Sequence, residues 1–301
     1  MGMEAHRILI VGAGDLGQAL GGVLRAKGNT ITFWDIDRAK VAKERPLHEM
    51  VPLADIIFLC VPSWAIRSVL SEATSSLRRT TIVAAFSKGI DVSLGDTIGE
   101  LLPELLPKHQ PFIIVGGPML AAEIAAGKHA AAVFASPDEA IAKSVADIFK
   151  SPIFSVEISR DATAVSLAGA LKNVYALGLG IVDGLGFDGD AKGWIVARAV
   201  QEMMSIAKSL GIEASAMLGT AGLADLIATS YSSYSRNRAI GDEIARKGTC
   251  DLKGEGSVSI PPLMARLRSQ AEEFPLLGAI KKIVIDCEPA KSIMDIYFAG
   301  K

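Results

Sequence analysis

Lys172 is the residue of this sequence best suited to chemistry. It lies in a stretch of Leu, Ala, Val and Gly that runs from Ser166 to Gly180, and a helix of that composition is packed on nearly all sides. Burial disfavours the charged form of an ammonium and makes its proton easier to give up, as a proton-transfer group at a carbonyl requires. The alternative is that its long stem carries the ammonium to the surface. Taken alone, the stretch favours a surface lysine. The other motifs of the sequence favour a proton-transfer lysine instead.

Two more charged residues occupy positions typical of a site. Asp225 lies in the apolar segment 221–227, where a carboxylate needs a partner, and Lys172 would be one. Lys88, in Ser87-Lys88-Gly89, follows a predicted strand. Because ligands of parallel sheets bind beyond the carboxyl ends of the strands, Lys88 is predicted to point toward the cofactor crevice. A solvated loop lysine is the alternative.

Ser235, Arg236 and Asn237 begin a predicted helix. Arginine can fork two hydrogen bonds onto a phosphate, while serine, asparagine and the first helical amides add donors. The segment therefore predicts an anion site, and a charged surface turn is the alternative.

A glycine motif, Gly12-Ala-Gly14-Asp15-Leu16-Gly17, follows the first predicted strand and opens a helix. The first glycine permits a tight turn, and the second lets the backbone approach a pyrophosphate at the helix N-terminus. Asp15 places a negative charge near that pyrophosphate, unless its side chain turns to solvent or caps the helix. With the strand, the helix and the acidic residue below, the motif predicts nucleotide binding.

Asp35 ends the second predicted strand, 18 residues after Gly17. A carboxylate there accepts hydrogen bonds from the adenosine ribose and repels a 2′-phosphate, so it favours NAD over NADP. Asp37 could compete for this role, and Asp35 could instead cap the turn before Arg38.

The elements that position these residues follow from hydrophobic patterning. Continuous apolar runs predict buried strands over residues 7–11, 30–34, 56–61, 81–85, 112–116, 131–135 and 154–157. Helical pieces between them include 16–27 and 137–149, so we expect a doubly wound parallel sheet of the Rossmann type. From residue 159, with Ser159 as a candidate N-cap, helical patterns dominate. They predict helices over 190–210, 236–247, 262–273, 275–287 and 289–298, with a mobile loop over 247–259.

The length is typical of a protein with two domains. The change of pattern predicts an α/β domain over residues 1–158 and an all-α domain over residues 159–301. The 31 Lys and Arg against 33 Asp and Glu give a net charge of −2, which offers no basic field for nucleic acid.

Three scattered cysteines, Cys60, Cys250 and Cys287, predict free thiols in a reducing compartment. With four scattered histidines, no metal site is expected. The sequence shows no signal peptide and no apolar segment of about 20 residues, so we expect a cytoplasmic protein without a membrane span.

Together these motifs resemble the NAD(P)-dependent sn-glycerol-3-phosphate dehydrogenases. The resembling segments occur in the family's order and span nearly the whole chain; they are 12–17, 87–89, Gly117-Pro118, 169–173, 222–226, 235–237 and Glu255-Gly256. By this resemblance, Lys172 is the catalytic acid and base at the C2 oxygen of the substrate. Lys88 contacts cofactor and substrate, and Asp225 supports the catalytic lysine and the substrate.

The resemblance also implies the binding residues. Ser235, Arg236 and Asn237 hold the substrate phosphate, and Arg236 lies near the cofactor as well. Glu255 lies at the nicotinamide end. Gly117 is assigned to the substrate, and the cofactor site takes in Ala121 with the glycine motif from Gly12 to Gly17, Leu16 included.

Three features depart from the family pattern. Met119 stands where a polar serine or asparagine is usual, Asp15-Leu16 replaces the common Ser-Trp, and the segment between Asp35 and the third strand is short. Because the methionine side chain replaces a polar one, we expect the substrate to have one hydrogen bond fewer at position 119.

The resemblance implies hydride transfer between NAD(H) and C2 of dihydroxyacetone phosphate or sn-glycerol 3-phosphate, a reaction that links glycolysis to glycerophospholipid synthesis. NADP is the alternative cofactor, a small phosphorylated molecule is the substrate, and a homodimer is expected. One alternative is a related dehydrogenase acting on another small phosphorylated or hydroxy-acid substrate. A catalytically weak NAD-binding regulator is the other.

Overall fold

A computed structural model describes residues 5–41, 45–250 and 252–300. Its seven strands form one sheet in the order β2-β1-β3-β4-β5-β6-β7. The strands are β1 (Arg7–Val11), β2 (Thr30–Trp34), β3 (Ile56–Leu59), β4 (Ile82–Ala85), β5 (Phe112–Gly116), β6 (Ala130–Ala135) and β7 (Phe154–Ser159). The predicted doubly wound sheet is confirmed, but it is not wholly parallel, because β6 runs antiparallel to β5. Apolar runs identify buried strands without giving their direction.

Among the described residues, the helices that accompany the sheet are α1 (Asp15–Ala26), α2 (Leu47–Met50), α3 (Ile66–Ala73), α4 (Ile98–Leu105), α5 (Ala121–Ala125) and α6 (Glu139–Phe149). The chain after β7 is helical, as predicted, with α7 (Ala162–Gly184), α8 (Gly189–Ser209), α9 (Ser215–Leu218), α10 (Asp225–Tyr231), α11 (Arg236–Lys247), α12 (Glu255–Leu267), α13 (Pro275–Val284) and α14 (Ala290–Phe298). This order matches the predicted Rossmann sheet followed by an all-α part.

Helix α7 is the central element of the helical part. Its 23 residues are buried along nearly the whole length, and α4, α8, α10, α11, α12 and β5 all pack against it. The expectation that no segment is long and apolar enough to cross a membrane is wrong for α7, which meets that test by length and composition. Its apolar window lies entirely inside the protein, as expected of a core helix.

Close packing of α11 on α7 depends on glycine. A Cβ at Gly241 of α11 would overlap the carbonyl oxygen of Leu177, and one at Gly180 of α7 would overlap that of Arg238. The two backbones therefore lie closer together than side chains would allow. This contact holds the start of α11 beside the segment of α7 that carries Lys172.

Two predicted helix starts in the helical part are wrong. The N-cap of α7 is Asp161, whose carboxylate accepts from the amide of Ala164 at 2.8 Å, and not Ser159. The predicted loop 247–259, whose residue 251 lies outside the described residues, becomes helical at Glu255. Helix α12 therefore contains Pro261 and Pro262, although proline usually marks a first turn.

The prediction of three free thiols is wrong for two of them. Cys250 and Cys287 are joined by a disulfide, with Cα atoms 5.8 Å apart across a sequence separation of 37. Tertiary packing brings the segment after α11 against the segment after α13, and spacing in the sequence does not show this. Cys60 is free, and burial raises the pKa of its thiol.

We expect Gly241→Ala to destabilise the protein by about 1–3 kcal/mol, because the added methyl group overpacks a backbone contact. Gly193→Ala in α8 is the matched control, since its Cβ would meet nothing within 4 Å, and it should be neutral or stabilising by about 0.5–1 kcal/mol. Urea unfolding of both variants measures the difference. Equal stability of the two would contradict the close contact between α7 and α11.

Candidate active site

Lys172 and Asp225 form the buried centre of the site. Lys172 on α7 is 6% exposed, and Asp225 at the start of α10 is 2% exposed. The Lys172 Nζ lies 3.1 Å from Asp225 Oδ1 and donates to Thr229 Oγ1 at 2.8 Å. The partner that Asp225 needs is therefore Lys172, as its apolar sequence context predicted.

Lys88 reaches the same carboxylate from the loop after β4. Its Nζ donates to Asp225 Oδ2 at 2.6 Å and to the carbonyl oxygen of Gly117 at 2.6 Å. Each oxygen of Asp225 thus faces one ammonium, and Gly117, which follows β5, is joined to the group. The prediction that Lys88 points into the crevice rather than into solvent agrees with this position.

Burial and charge act in opposite directions on these groups. Burial is the largest effect on Lys172 and, helped by repulsion from Lys88, lowers its pKa to about 8 against the attraction of Asp225. Burial also acts to raise the pKa of Asp225, but attraction to Lys172 and Lys88 outweighs it, and the pKa is lowered. Asp225 is therefore ionised at neutral pH, while Lys172 is mostly protonated and close to releasing its proton.

Thr229 is a residue of this centre that the sequence reading missed. Its hydroxyl accepts from Lys172 and donates to Asp225 Oδ1 at 3.2 Å. Thr229 lies four residues after Asp225, so both face the same side of α10, and that spacing could have revealed it. A π-helical turn at Thr220–Ala224 precedes α10, and turns of this kind are frequent at functional sites.

The predicted anion-binding residues do not all face the same way. Ser235 caps α11 by accepting from the amide of Arg238 at 3.2 Å. Arg236 is exposed, and its Nη2 donates to the carbonyl oxygen of Lys253 at 3.3 Å. Asn237 is buried and donates to Asn173 Oδ1 at 2.8 Å. Of the three, only Arg236 presents its side chain to solvent.

The glycine motif has the geometry that a pyrophosphate needs. Gly12 adopts φ +102° and lies so close to β3 that a Cβ would be 2.6 Å from the carbonyl oxygen of Cys60. A Cβ at Gly14 would meet nothing within 4 Å, whereas one at Gly17 would overlap Gly12. Open space at the second glycine, at the N-cap of α1, fits the approach of a dinucleotide.

Asp35, and not Asp37, lies against the glycine motif. Asp35 Oδ2 accepts from the amide of Ala13 at 2.7 Å, and its Oδ1 accepts from the amide of Asp37 at 2.9 Å. Asp37 instead caps a short 3-10 helix by accepting from Ala39. The carboxylate beside the expected ribose position is therefore that of Asp35.

Glu255, the first residue of α12, joins the helical part of the chain to the segment after β3. Its carboxylate accepts from the Ser63 amide at 2.8 Å and from Ser63 Oγ at 2.6 Å. Burial raises the pKa of Glu255, and the hydrogen bonds from Ser63 oppose that rise.

Ala121, the remaining predicted cofactor residue, is the first residue of α5, and α5 packs against α1. Among the described residues, no group of His, Cys, Asp or Glu could hold a metal ion.

Fold and site together define a dehydrogenase that uses a nicotinamide dinucleotide. Family models match the chain over residues 38–142, as the N-terminus of NAD-dependent glycerol-3-phosphate dehydrogenase, and over 161–295, as its C-terminus. The chain belongs to the NAD-dependent glycerol-3-phosphate dehydrogenase family.

Individual relatives agree with this assignment. A glycerol-3-phosphate dehydrogenase [NAD(P)+] of Nitratidesulfovibrio vulgaris is 31% identical over 310 residues, covering 93% of this chain and 94% of the relative. A second, from Sphingopyxis alaskensis, is 33% identical and covers 83% and 76%. The crystal structure of glycerol-3-phosphate dehydrogenase from Coxiella burnetii superposes with a TM-score of 0.87 at 25% identity, covering 98% of this chain and 99% of that one.

We expect the protein to bind NADH more tightly than NADPH, and Asp35→Ser to narrow this ratio by about tenfold, because a 2′-phosphate would no longer meet a carboxylate. Fluorescence titration with both cofactors gives the dissociation constants. Asp37→Ser is the matched control and should leave the ratio unchanged. A wild-type preference for NADPH, or an equal effect of the two variants, would remove Asp35 from the ribose site.

Proposed function

We propose that this chain interconverts dihydroxyacetone phosphate and sn-glycerol 3-phosphate with NAD(H), with NADP as the alternative cofactor. The observation that carries the proposal is the buried arrangement of Lys172, Asp225 and Lys88, in a chain of this family. When bound, the nicotinamide would supply or accept a hydride at C2 of the substrate. The glycine motif and Asp35 would hold the pyrophosphate and the adenosine of the cofactor. Ala121 and Glu255 would flank the rest of the cofactor.

The protein's own part in the reaction is to hold and move one proton. Lys172 Nζ donates this proton to the C2 oxygen during reduction and takes it back during oxidation. A pKa of about 8 suits both directions near neutral pH. Asp225 stays ionised and stabilises the ammonium, and Thr229 fixes its direction through the bond at 2.8 Å.

The charges of the site favour an anionic substrate. Lys88 and Lys172 are balanced by one carboxylate, that of Asp225, so the three groups together carry one net positive charge while both lysines are protonated. That charge stabilises negative charge developing on the substrate oxygen. Arg236, exposed at the N-terminus of α11, would hold the phosphate with help from the first helical amides.

Two alternatives compete with this proposal. The first is a related dehydrogenase with a different substrate, which the methionine at position 119 suggested. Met119 is 7% exposed and packs in the apolar core of the sheet, so it offers no polar group there. A substrate panel that includes hydroxy acids decides this point. The regulator without turnover is disfavoured by the intact contacts among Lys172, Asp225 and Lys88. The division at residues 158 and 159, the homodimer and the cytoplasmic location stay predictions.

We expect Lys172→Met to lower kcat by about 10²–10⁴-fold while NADH binding stays nearly unchanged, because only the proton donor is lost. Steady-state turnover of dihydroxyacetone phosphate and a parallel NADH titration measure the two effects. Lys208→Met, an exposed position on α8, is the control and should turn over normally. Near-normal turnover of the Lys172 variant would exclude it from the mechanism.

Arg236→Ala should lower kcat/KM for dihydroxyacetone phosphate by about tenfold or more, since a charge-assisted hydrogen bond is worth roughly 1.5–3 kcal/mol. Unphosphorylated dihydroxyacetone should lose much less, and Arg236→Lys should restore only part of the activity, because an ammonium lacks the forked geometry. NADH affinity is measured separately. Equal losses on both substrates, with unchanged NADH binding, would show that Arg236 is not a phosphate ligand.

A further inference from the structure

The disulfide between Cys250 and Cys287 lies close in sequence to a residue of the site. Cys250, between α11 and α12, precedes Glu255 by five residues, and Cys287 lies between α13 and α14. Cys287 is exposed and Cys250 is partly exposed, so a thiol in solution can reach the bond. Exposed disulfides are those that exchange with external thiols, and proton transfer at Lys172 makes no use of this one.

Two residues that follow the disulfide closely contact the segment after β3. Glu255 accepts from both the amide and the hydroxyl of Ser63. The ammonium of Lys253 lies over the ring of Trp64, 4.8 Å from the ring centroid. A Cβ at Gly89 would overlap both Glu255 and Ser63, so the loop after β4 packs on the same contact. The start of α12 is therefore joined to two loops of the sheet by contacts that begin three residues after the disulfide.

The disulfide restricts the chain that leads to these contacts. At its far end, the amide of Glu288, beside Cys287, donates to the carbonyl oxygen of Lys282 at 3.0 Å and holds this segment against α13. Through the disulfide, Cys250 is fixed to the same support. Breaking the bond gives the chain after Cys250 more conformational freedom, and any ligand that needs this chain in place must then remove that freedom on binding.

We propose that the disulfide between Cys250 and Cys287 is a site of reversible redox modification, and that its reduction lowers the affinity of the protein for NADH by releasing the chain that leads to Glu255. The inference rests on the proposed function, in which Glu255 flanks the cofactor. The oxidised protein has this segment in place before the cofactor arrives, whereas the reduced protein must order it during binding.

The modification is an exchange with a small dithiol. One thiolate of the dithiol attacks the exposed sulfur of Cys287, the S–S bond breaks, and Cys250 leaves as a thiolate that takes up a proton. The second thiolate of the reductant then displaces Cys287. The protein gains two electrons and two protons, and the reductant becomes a disulfide. Glutathione disulfide reverses the reaction and is itself reduced to two molecules of glutathione.

The test compares NADH binding by the oxidised protein, prepared with glutathione disulfide, and by the reduced protein, prepared with dithiothreitol. After denaturation the oxidised form should show one thiol, that of Cys60, and the reduced form three. We expect reduction to raise the dissociation constant of NADH by about three- to tenfold, as weakening of contacts such as that of Lys253 with Trp64 requires. Cys287→Ser should bind NADH like the reduced protein under both conditions. Equal NADH affinity of the two forms, or three thiols after oxidation, would overturn the proposal.

A second measurement separates this device from a purely structural disulfide. Acrylamide quenching of Trp64, taken as the difference between wild type and Trp64→Phe, should increase on reduction while circular dichroism shows a folded protein. A reduced protein that unfolds would overturn the proposal, because the bond would then only stabilise the fold. The double variant Cys250→Ala/Cys287→Ala replaces Cys287→Ser should the latter fail to fold. Absence of turnover on dihydroxyacetone phosphate would refute the proposed function, whereas the comparison of NADH affinities would still test the disulfide.

Discussion

A single buried carboxylate shared by two ammonium groups determines the organisation of this site. Asp225 contacts Lys172 with one oxygen and Lys88 with the other, at 3.1 and 2.6 Å. Removing Asp225 would leave two ammonium groups in an apolar setting without a counterion, which is costly. Because the lysines come from α7 and from the loop after β4, this shared contact also ties the helical part to the sheet.

The surrounding structure brings these charges together by close backbone approach. Glycines let α11 lie directly on α7, and Gly256 lets the start of α12 lie on Asn173. The amides of Asn173 and Asn237 then join Lys88 to α12, and Glu255 connects α12 to Ser63. The packing of the helices therefore determines the chemistry of the site, because the spacing between helices sets the position of the proton donor.

Much of this arrangement was predictable from the sequence, because burial imposes requirements on individual residues. A lysine and an aspartate in apolar helices need each other, and the glycine motif has a known relation to strand, helix and acidic residue. The inward turn of Asn237 was not predictable, since the face that a first helical turn presents depends on tertiary packing. The start of α12 was missed because Pro261 and Pro262 indicate a first turn, whereas contacts to Ser63 and Asn237 place the start at Glu255. The disulfide between Cys250 and Cys287 depends on two distant segments meeting.

The most direct test of the account is the titration of the Lys172 side chain by NMR, with its signal assigned from the spectrum of Lys172→Met. Burial should place the pKa near the value of about 8, and Asp225→Asn should lower it further, because the charged form loses its counterion. A Lys172 that titrates near the ordinary lysine value of about 10.4, and is unaffected by Asp225→Asn, would contradict a buried proton donor held by Asp225.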